Sequence, residues 1–459
     1  MFRLFRVYVP ASVAALWVSE LALIYVCYLA ATFLWMRADA VALLTDDGGW
    51  LRIGIVAGCL MLSIYFHDLY TNLSARPREL LQQVGVVAGT AFITEALLGY
   101  LKLRRLVVPA GPMIAGSAIC IFALITWRLF FTRVVVTKMR SERLIFLGDS
   151  PLLEQIAHHL AEHPEKGLLS LGFLRDDQRD GADRLGAIAD LCNVAARLHP
   201  QRIVVGLRER RSTLPVAQLL DLRLSGIHVE EAISAYEMTF ERIPISELRP
   251  SQLIFSRSDL GPNRTFVRLQ SVYSTVMAAL GLVAAAPLML LLAVLIKITS
   301  PGPALLRQQR VGKNNRVFTL YKFRSMIDNA EAATGAVWSK PNDPRVTPLG
   351  RWLRRSRLDE LPQLLNVLKG DMSIVGPRPE RPEIVTGLEG TVAYYRQRHC
   401  IKPGITGWAQ IKHKYGDTLE DTIRKLEYDL YYIKNLSPAL DAVIIFHTAK
   451  VMLLSRGAQ

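Results

Sequence analysis

The sequence predicts a multi-domain membrane protein: four N-terminal transmembrane helices, a parallel α/β domain, a further membrane helix and a basic C-terminal domain. Three observations predict it. Long apolar stretches fill the first third, short apolar strands alternate with helical segments in the second, and an uncharged run precedes a charge-rich final third. Composition agrees, since 51% of the 459 residues are apolar although 21% are charged, which implies apolar blocks between polar domains. From residue 299 onward, 25 Lys and Arg stand against 15 Asp and Glu, leaving +10 of the net +15 in that module. Such a module suits phosphate-rich ligands, anionic headgroups or nucleic acid, and equally a solvated basic face.

The apolar stretches cover 13–35, 51–66, 84–100 and 107–131, approaching or exceeding the ~20 residues a helix needs to cross a bilayer. Arg3 and Arg6 precede the first as in a signal peptide, but no convincing small-residue cleavage site follows, so a retained helix is expected. Four crossings place Arg3, Arg6, Arg76, Arg78, Arg133, Lys138 and Arg140 on one side, the cytosolic one by the positive-inside rule. Lys102, Arg104 and Arg105 fall on the other. Glu20 and Glu95 lie within the stretches, as functional groups or as groups paired inside a bundle. Cys27, Cys59, Cys120, Cys192 and Cys400 show no metal-ligand spacing and no disulfide framework, which fits domains facing a reducing cytosol.

In the second third, strands are expected at 143–147, 169–174, 202–206 and 227–230, and helices at 151–162, 187–198 and 214–225. That alternation builds a parallel, Rossmann-like sheet. Gly148-Asp149-Ser150 carries one glycine where a dinucleotide fingerprint needs three, and Asp149 would repel a pyrophosphate. A packing or regulatory role is expected instead.

Between Arg268 and Lys297, 28 residues carry no charge. Pro287 interrupts helical hydrogen bonding, and both flanks are basic (Arg264 and Arg268; Lys297, Arg307, Arg310 and Lys313). These features predict re-entry on the cytosolic face with a break at Ala286-Pro287, against the alternative of a fifth crossing.

Asp359-Glu360 is a carboxylate pair among Arg351, Arg354, Arg355 and Arg357. Pro362 pushes Leu361 out of the α region, so a helix over 363–368 is expected to start just after the pair. Its N-terminus would draw a phosphate there, and the arginines would keep a carboxylate ionised for attack on phosphorus or for holding a divalent cation. Taken alone, the pair is more often a surface salt-bridge cluster. Gly376-Pro377-Arg378-Pro379 is a rigid turn offering one guanidinium, structural or phosphate-binding.

These two motifs stand in an ordered series. It includes Tyr321-Lys322-Phe323-Arg324-Ser325-Met326, Leu358-Asp359-Glu360-Leu361-Pro362-Gln363, Asn366-Val367-Leu368-Lys369-Gly370-Asp371 and Lys402-Pro403-Gly404-Ile405-Thr406-Gly407-Trp408-Ala409-Gln410. With it, the chain from about residue 264 to 457 resembles the bacterial sugar transferases, the monotopic polyprenyl phosphate phosphoglycosyl transferases. The whole chain resembles the long exopolysaccharide-initiating type. Leu248-Arg249-Pro250-Ser251-Gln252-Leu253-Ile254-Phe255-Ser256 and Glu380-Arg381-Pro382-Glu383 are similar to its exosortase-associated branch.

The resemblance implies a re-entrant helix at 261–299 and a small α/β catalytic domain at 300–459 with interfacial amphipathic helices. These follow four transmembrane helices at 1–140 and the accessory Rossmann-like domain at 141–260. It further implies a multi-pass protein of the bacterial inner membrane, catalytic on the cytosolic face. A sugar-1-phosphate would pass from a UDP-sugar to undecaprenyl phosphate, with UMP released and a covalent aspartyl intermediate. By motif match Asp359 is the nucleophile and Glu360 its metal or proton-handling partner. Mg2+ is the implied cofactor, held by Asp359 and Glu360 with Asp371 and Asp429 as weaker candidates. Arg378, Arg357, Arg354 and Arg324 are the implied phosphate contacts. Membrane lipids are implied partners and nucleic acid is not; the sequence leaves open whether the chain is a homo-oligomer. The motifs do not name the sugar, though hexose-1-phosphates are common among long members, pointing to UDP-glucose or UDP-galactose. Ala286-Pro287 stands where the family has Ser-Pro, and Val267-Arg268-Leu269-Gln270-Ser271 where it has Lys-Arg-x-Phe-Asp. Two alternatives remain: a membrane-tethered nucleotide-sugar-modifying enzyme, which lacks its glycine fingerprint and Tyr-x-x-x-Lys pair here, and a non-catalytic scaffold.

Overall fold

The computed structural model describes residues 2–4, 7–9, 11–67, 69–70, 77–100, 106–136, 142–163, 166–176, 183–207, 214–248, 263–328, 330, 343–413, 416 and 418–453. Arg6, Arg76, Lys102, Arg104, Arg105, Lys138, Arg140 and residues 249–256 lie outside them. The chain divides into two compact units, one built on Tyr8–Glu230 and the other on Glu231–Gln459.

After a two-stranded sheet of β1 (Phe2–Leu4) and β2 (Val7–Val9), the first unit opens with five helices. They are α1 (Ala11–Met36), the short α2 (Asp39–Thr45), α3 (Gly49–Phe66), α4 (Pro77–Tyr100) and α5 (Ala110–Phe130). All but α2 are long and apolar enough to cross a membrane. They share one buried cluster that includes Ile24, Tyr28, Ile53, Val56, Val87 and Leu124, while Val26, Leu34, Ile93 and Phe122 remain exposed. A soluble fold would cover such residues; a lipid-facing one has no reason to. The Tyr28 ring lies against Gly116, where an added Cβ would come within 2.6 Å of it, and its hydroxyl meets Ser117 at 2.7 Å. Glu20 is fully buried against Arg128 (2.5 and 2.9 Å), with Tyr70 donating to it and Arg128 also donating to Leu69 O. Glu95 accepts from Val108 N. Glu20 is thus ion-paired inside the helix cluster, while the buried Oε1 of Glu95 finds no hydrogen-bond partner among the described residues.

The sheet follows as β3 (Glu142–Gly148), α6 (Pro151–Glu162), β4 (Leu168–Leu174), β5 (Arg184–Gly186), α7 (Leu191–Leu198), β6 (Arg202–Gly206), α8 (Val216–Leu224) and β7 (His228–Glu231). Its order is β5-β4-β3-β6-β7, with β3 parallel to both β4 and β6. The first strand is central and the order reverses beside it, the doubly wound arrangement the alternation predicted. Gly148 has φ +117°, and a Cβ there would strike Gly206 O at 2.4 Å, so the single glycine serves close strand packing.

The second unit opens with α9 (Ala232–Phe240) and continues through α10 (Arg264–Thr299). At 36 residues, α10 is about 54 Å long against a hydrocarbon thickness of about 30 Å. α10 stays helical through Ala286 and Pro287, so a change of direction there takes the form of a bend within the helix and not of a gap in it. Proline forfeits one backbone hydrogen bond, and its ring clash can be absorbed by bending without ending the helix. Beyond it come the antiparallel hairpin β8 (Leu305–Val311) and β9 (Val317–Phe323), then α11 (Pro348–Arg355) and α12 (Gln363–Lys369). Next are β10 (Ser373–Val375) and α13 (Pro382–Glu389). β11 (Gly404–Thr406) runs parallel to β10, and α14 (Trp408–Lys412), α15 (Leu419–Asn435) and α16 (Pro438–Leu453) complete the unit. Its core joins Val375, Trp408, Leu430, Tyr431 and Ile444 with Ile243 and Ile245, so the residues after α9 pack with this unit.

Candidate active site

The helix expected over 363–368 is α12, and the carboxylate pair sits in the 3-10 turn Leu358–Glu360 just before it, although Leu361 stays in the α region (φ −51°, ψ −40°) despite the proline that follows. Arg357, two residues beyond α11, takes a left-handed conformation (φ +55°) that leads the chain into the 3-10 turn. Leu358 and Leu361 then pack beside Leu292 and Ile296 of α10, Phe323 of β9 and Leu353 of α11, which fixes the turn against the membrane helix. Asn366 locks α12 to β9, donating to Thr319 O (2.7 Å) and accepting from Tyr321 N (3.0 Å).

The two carboxylates differ. Glu360 Oε1 accepts from Lys322 Nζ (3.2 Å) and Arg378 Nη2 (3.1 Å). Burial raises the Glu360 carboxyl, but Lys322, Arg378 and Arg357 outweigh it and hold it well below the usual carboxylate range. Asp359 is only 8% exposed, yet no hydrogen bond or ion pair to its carboxylate is found among the described residues. Burial pushes its pKa up and Glu360 adds to this, against Lys322, Arg354 and Arg378. Of the expected arginine collar, Arg354 lowers the Asp359 carboxyl against its burial, and Glu360 is the carboxylate held lower of the two. Arg351 and Arg355 lie exposed on α11, and only Arg354 and Arg357 bear on the pair. The result is a buried, unpartnered carboxylate beside a cation-held one, with Lys322, Arg354 and Arg378 around it. Asp359 and Glu360 offer two adjacent carboxylates, the oxygen donors a hard divalent cation such as Mg2+ takes, and the residues present fit that ion.

Residues 265–455 match the profile of the family described as Bacterial sugar transferase. The chain is 31% identical over 434 residues to the UDP-glucose:undecaprenyl-phosphate glucose-1-phosphate transferase of Xanthomonas campestris pv. campestris, covering 89% of this chain and 88% of that one. It is 34% identical over 320 residues to the protein of the same name from Escherichia coli (strain K12), covering 68% of each. It is 44% identical over 218 residues to a UDP-N-acetylgalactosamine-undecaprenyl-phosphate N-acetylgalactosaminephosphotransferase of Aeromonas hydrophila, spanning only half that protein's length. The chain belongs to the bacterial sugar transferase family.

In this sugar transferase two expected site residues, Arg324 and Asp429, serve other ends, and a third, Asp371, lies apart from the carboxylate pair. Arg324 donates to Pro301 O (2.5 Å) and to Ser300 O and Oγ (2.8 Å each), bracing the end of α10 instead of offering its guanidinium to a phosphate. Asp371 follows the C-terminus of α12 while Asp359 precedes its N-terminus, about 10 Å away along the helix axis, so the two do not share an ion. Asp429 is 2% exposed and bound through Oδ2 to Arg398 (2.8 and 3.0 Å), so it is the acid of a buried ion pair. That pair supports the site from behind. Arg398 also donates to Tyr395 OH (2.9 Å) and Arg378 O (3.0 Å), holding the backbone that carries the Arg378 guanidinium. Sequence reasoning missed Lys322 and Arg398. A lone lysine in the apolar strand Val317–Phe323 was the available signal for the first; the second is found only through its partners.

Proposed function

We propose that this sugar transferase moves a sugar-1-phosphate from a UDP-sugar to undecaprenyl phosphate in two displacements through Asp359. The observation that carries this reading is the buried Asp359 carboxylate, unpartnered beside a Glu360 already neutralised by Lys322 and Arg378. An oxygen of Asp359 attacks the β-phosphorus, the bond to the α–β bridging oxygen breaks, and UMP departs. A phosphate oxygen of the lipid then attacks the same phosphorus, expelling Asp359 and leaving a polyprenyl diphosphate sugar. Arg378, Arg354 and Lys322 hold the phosphate oxygens as charge develops. Asp359 and Glu360 would hold Mg2+, which when bound supplies charge neutralisation on the diphosphate. The transferase is read as an inner-membrane protein with four crossings in α1, α3, α4 and α5 and the C-terminal unit on the cytosolic side. In this reading α10 enters and leaves on that side, because basic residues flank both its ends. Cysteines placed at residues 263 and 300 should both resist a membrane-impermeant thiol reagent in intact cells; labelling of one alone would mean a fifth crossing.

The test is UMP release from a panel of UDP-sugars by the purified full chain with Mg2+, including glucose, galactose and N-acetylgalactosamine. Relatives aligned along most of the chain are named for glucose and one aligned along half for N-acetylgalactosamine, so both belong in the panel. With labelled sugar phosphate and no lipid, the wild type should take up about one label per site. Asp359→Asn should take up none, and Glu360→Gln should turn over at least ~100-fold more slowly. Label on another residue, or UMP release that strictly requires the lipid, would sink the covalent route.

A further inference from the structure

The last turn of α6, in the first unit, gathers metal-type donors that the transferase chemistry does not use. His159 and Glu162 lie on one face of α6, at i and i+3, and His163 caps the helix directly after them. Their donor atoms all lie within 4.8 Å of one another, and the two imidazole rings are 4.3 Å apart between centroids. Both histidines are half-buried and Glu162 is exposed, which leaves the group reachable from solvent.

A further contact shows which form His159 takes. Its Nε2 lies 2.7 Å from Lys166 Nζ. An ammonium can only donate, so Nε2 is the acceptor and carries a lone pair. That is the neutral imidazole tautomer that ligates metals, with its lone pair already directed at a positive charge. We propose that His159, Glu162 and His163 bind a transition-metal ion of the zinc class, with Lys166 competing for the same His159 lone pair. Two imidazoles and one carboxylate suit Zn2+, Co2+ or Ni2+; a site for Mg2+ would be built of oxygens. Three protein ligands leave a position for water, and the bound ion would fasten the final turn of α6.

The experiment is a Zn2+ titration of the metal-free full chain in detergent against a chromogenic chelator, with excess Mg2+ present to hold the Asp359–Glu360 pair. The wild type should bind one zinc, and Co2+ in its place should show the d–d bands of nitrogen ligation. His159→Ala combined with His163→Ala should weaken zinc binding by at least about tenfold, the lower end of what disturbing a metal site costs. The milder His163→Gln should weaken it in the same direction while retaining UMP release, which reports a folded chain. Lys166→Ala should bind zinc more tightly than the wild type, because the competing ammonium is gone. Equal affinity in the wild type and the histidine variants would overturn the proposal. So would Lys166→Ala binding no more tightly than the wild type, since the zinc would then lie away from His159 Nε2.

Discussion

Asp359 and Glu360 are neighbours of nearly the same chemistry, and their surroundings give them opposite tasks. Glu360 gives its Oε1 to two cations and Asp359 bonds none among the described residues, so Glu360 is the better neutralised of the two and Asp359 the more available. A different buried group sets a pH limit on the same domain. His399 is 6% exposed, and neither ring nitrogen has a hydrogen-bond partner among the described residues. Burial, with Arg398 and Arg396 adding to it, drives its pKa down to about 3 from 6.5. Below pH 6.5 the unfolded chain therefore binds a proton that the folded one refuses. The stability from keeping His399 neutral is whole above pH 6.5 and falls by about 1.4 kcal/mol per unit as the pH drops towards 3. His399→Leu should flatten that loss between pH 6.5 and 5, read as the thermal midpoint in detergent; parallel curves for the two proteins would assign the acid sensitivity elsewhere. At this scale the sequence exposed what lies in contiguous motifs, Asp359, Glu360 and Arg378. It misplaced Arg324 and Asp429 because a charge's task depends on its partner, and Ser300, Pro301 and Arg398 lie far from them in sequence.

The elements that carry the site are tied to α10 by polar contacts as well as by leucines. Asp441 of α16 is 1% exposed and accepts from Gln270 Nε2 (2.7 Å), Tyr432 OH (2.6 Å) and Tyr273 OH. Gln270 Nε2 also reaches Val375 O (3.3 Å), three residues before Arg378. One carboxylate thus joins α10, α15 and α16 beside the end of β10. Asp441→Leu would strand buried donors at about 1–3 kcal/mol apiece, lowering the thermal midpoint and UMP release together. Asp441→Asn keeps an acceptor and should do less harm. An unchanged midpoint in Asp441→Leu would show that the donors find other partners. The strands and helices of the Rossmann-like sheet were legible because apolar runs and turn residues mark them locally. β5 was not, since Arg184–Gly186 is a three-residue polar strand defined by its pairing with β4. Nor was the continuity of α10, because proline's local penalty says nothing of the packing that sustains a helix on either side of it.

At the scale of the chain, an expected domain start near residue 261 rests on where the catalytic motifs begin, and packing draws the line earlier. The second compact unit starts at Glu231. Ile243 is fully buried in the core that holds Tyr431 and Leu430. Lys434 binds both oxygens of Glu237 (2.7 and 2.8 Å), Trp408 Nε1 donates to Glu241 O (3.0 Å), and Ile243 N donates to Glu427 O (3.2 Å). A chain beginning at residue 261 loses all of these. It exposes the apolar surface that Ile243 and Ile245 covered, each worth roughly 1.5–3 kcal/mol, and leaves the Trp408 and Lys434 donors to water. Against typical domain stabilities of about 5–15 kcal/mol, that loss is a large share. All residues that touch the proposed substrate lie beyond residue 320, so a fragment from Glu231 to Gln459 should release UMP at a rate close to that of the full chain. A fragment from residue 261 should aggregate or melt well below it. Equal melting of the two fragments would mean that residues 231–260 only decorate the unit. Inactivity of the longer fragment, shown folded by its thermal transition and bound to membranes, would mean that the first unit takes part in catalysis.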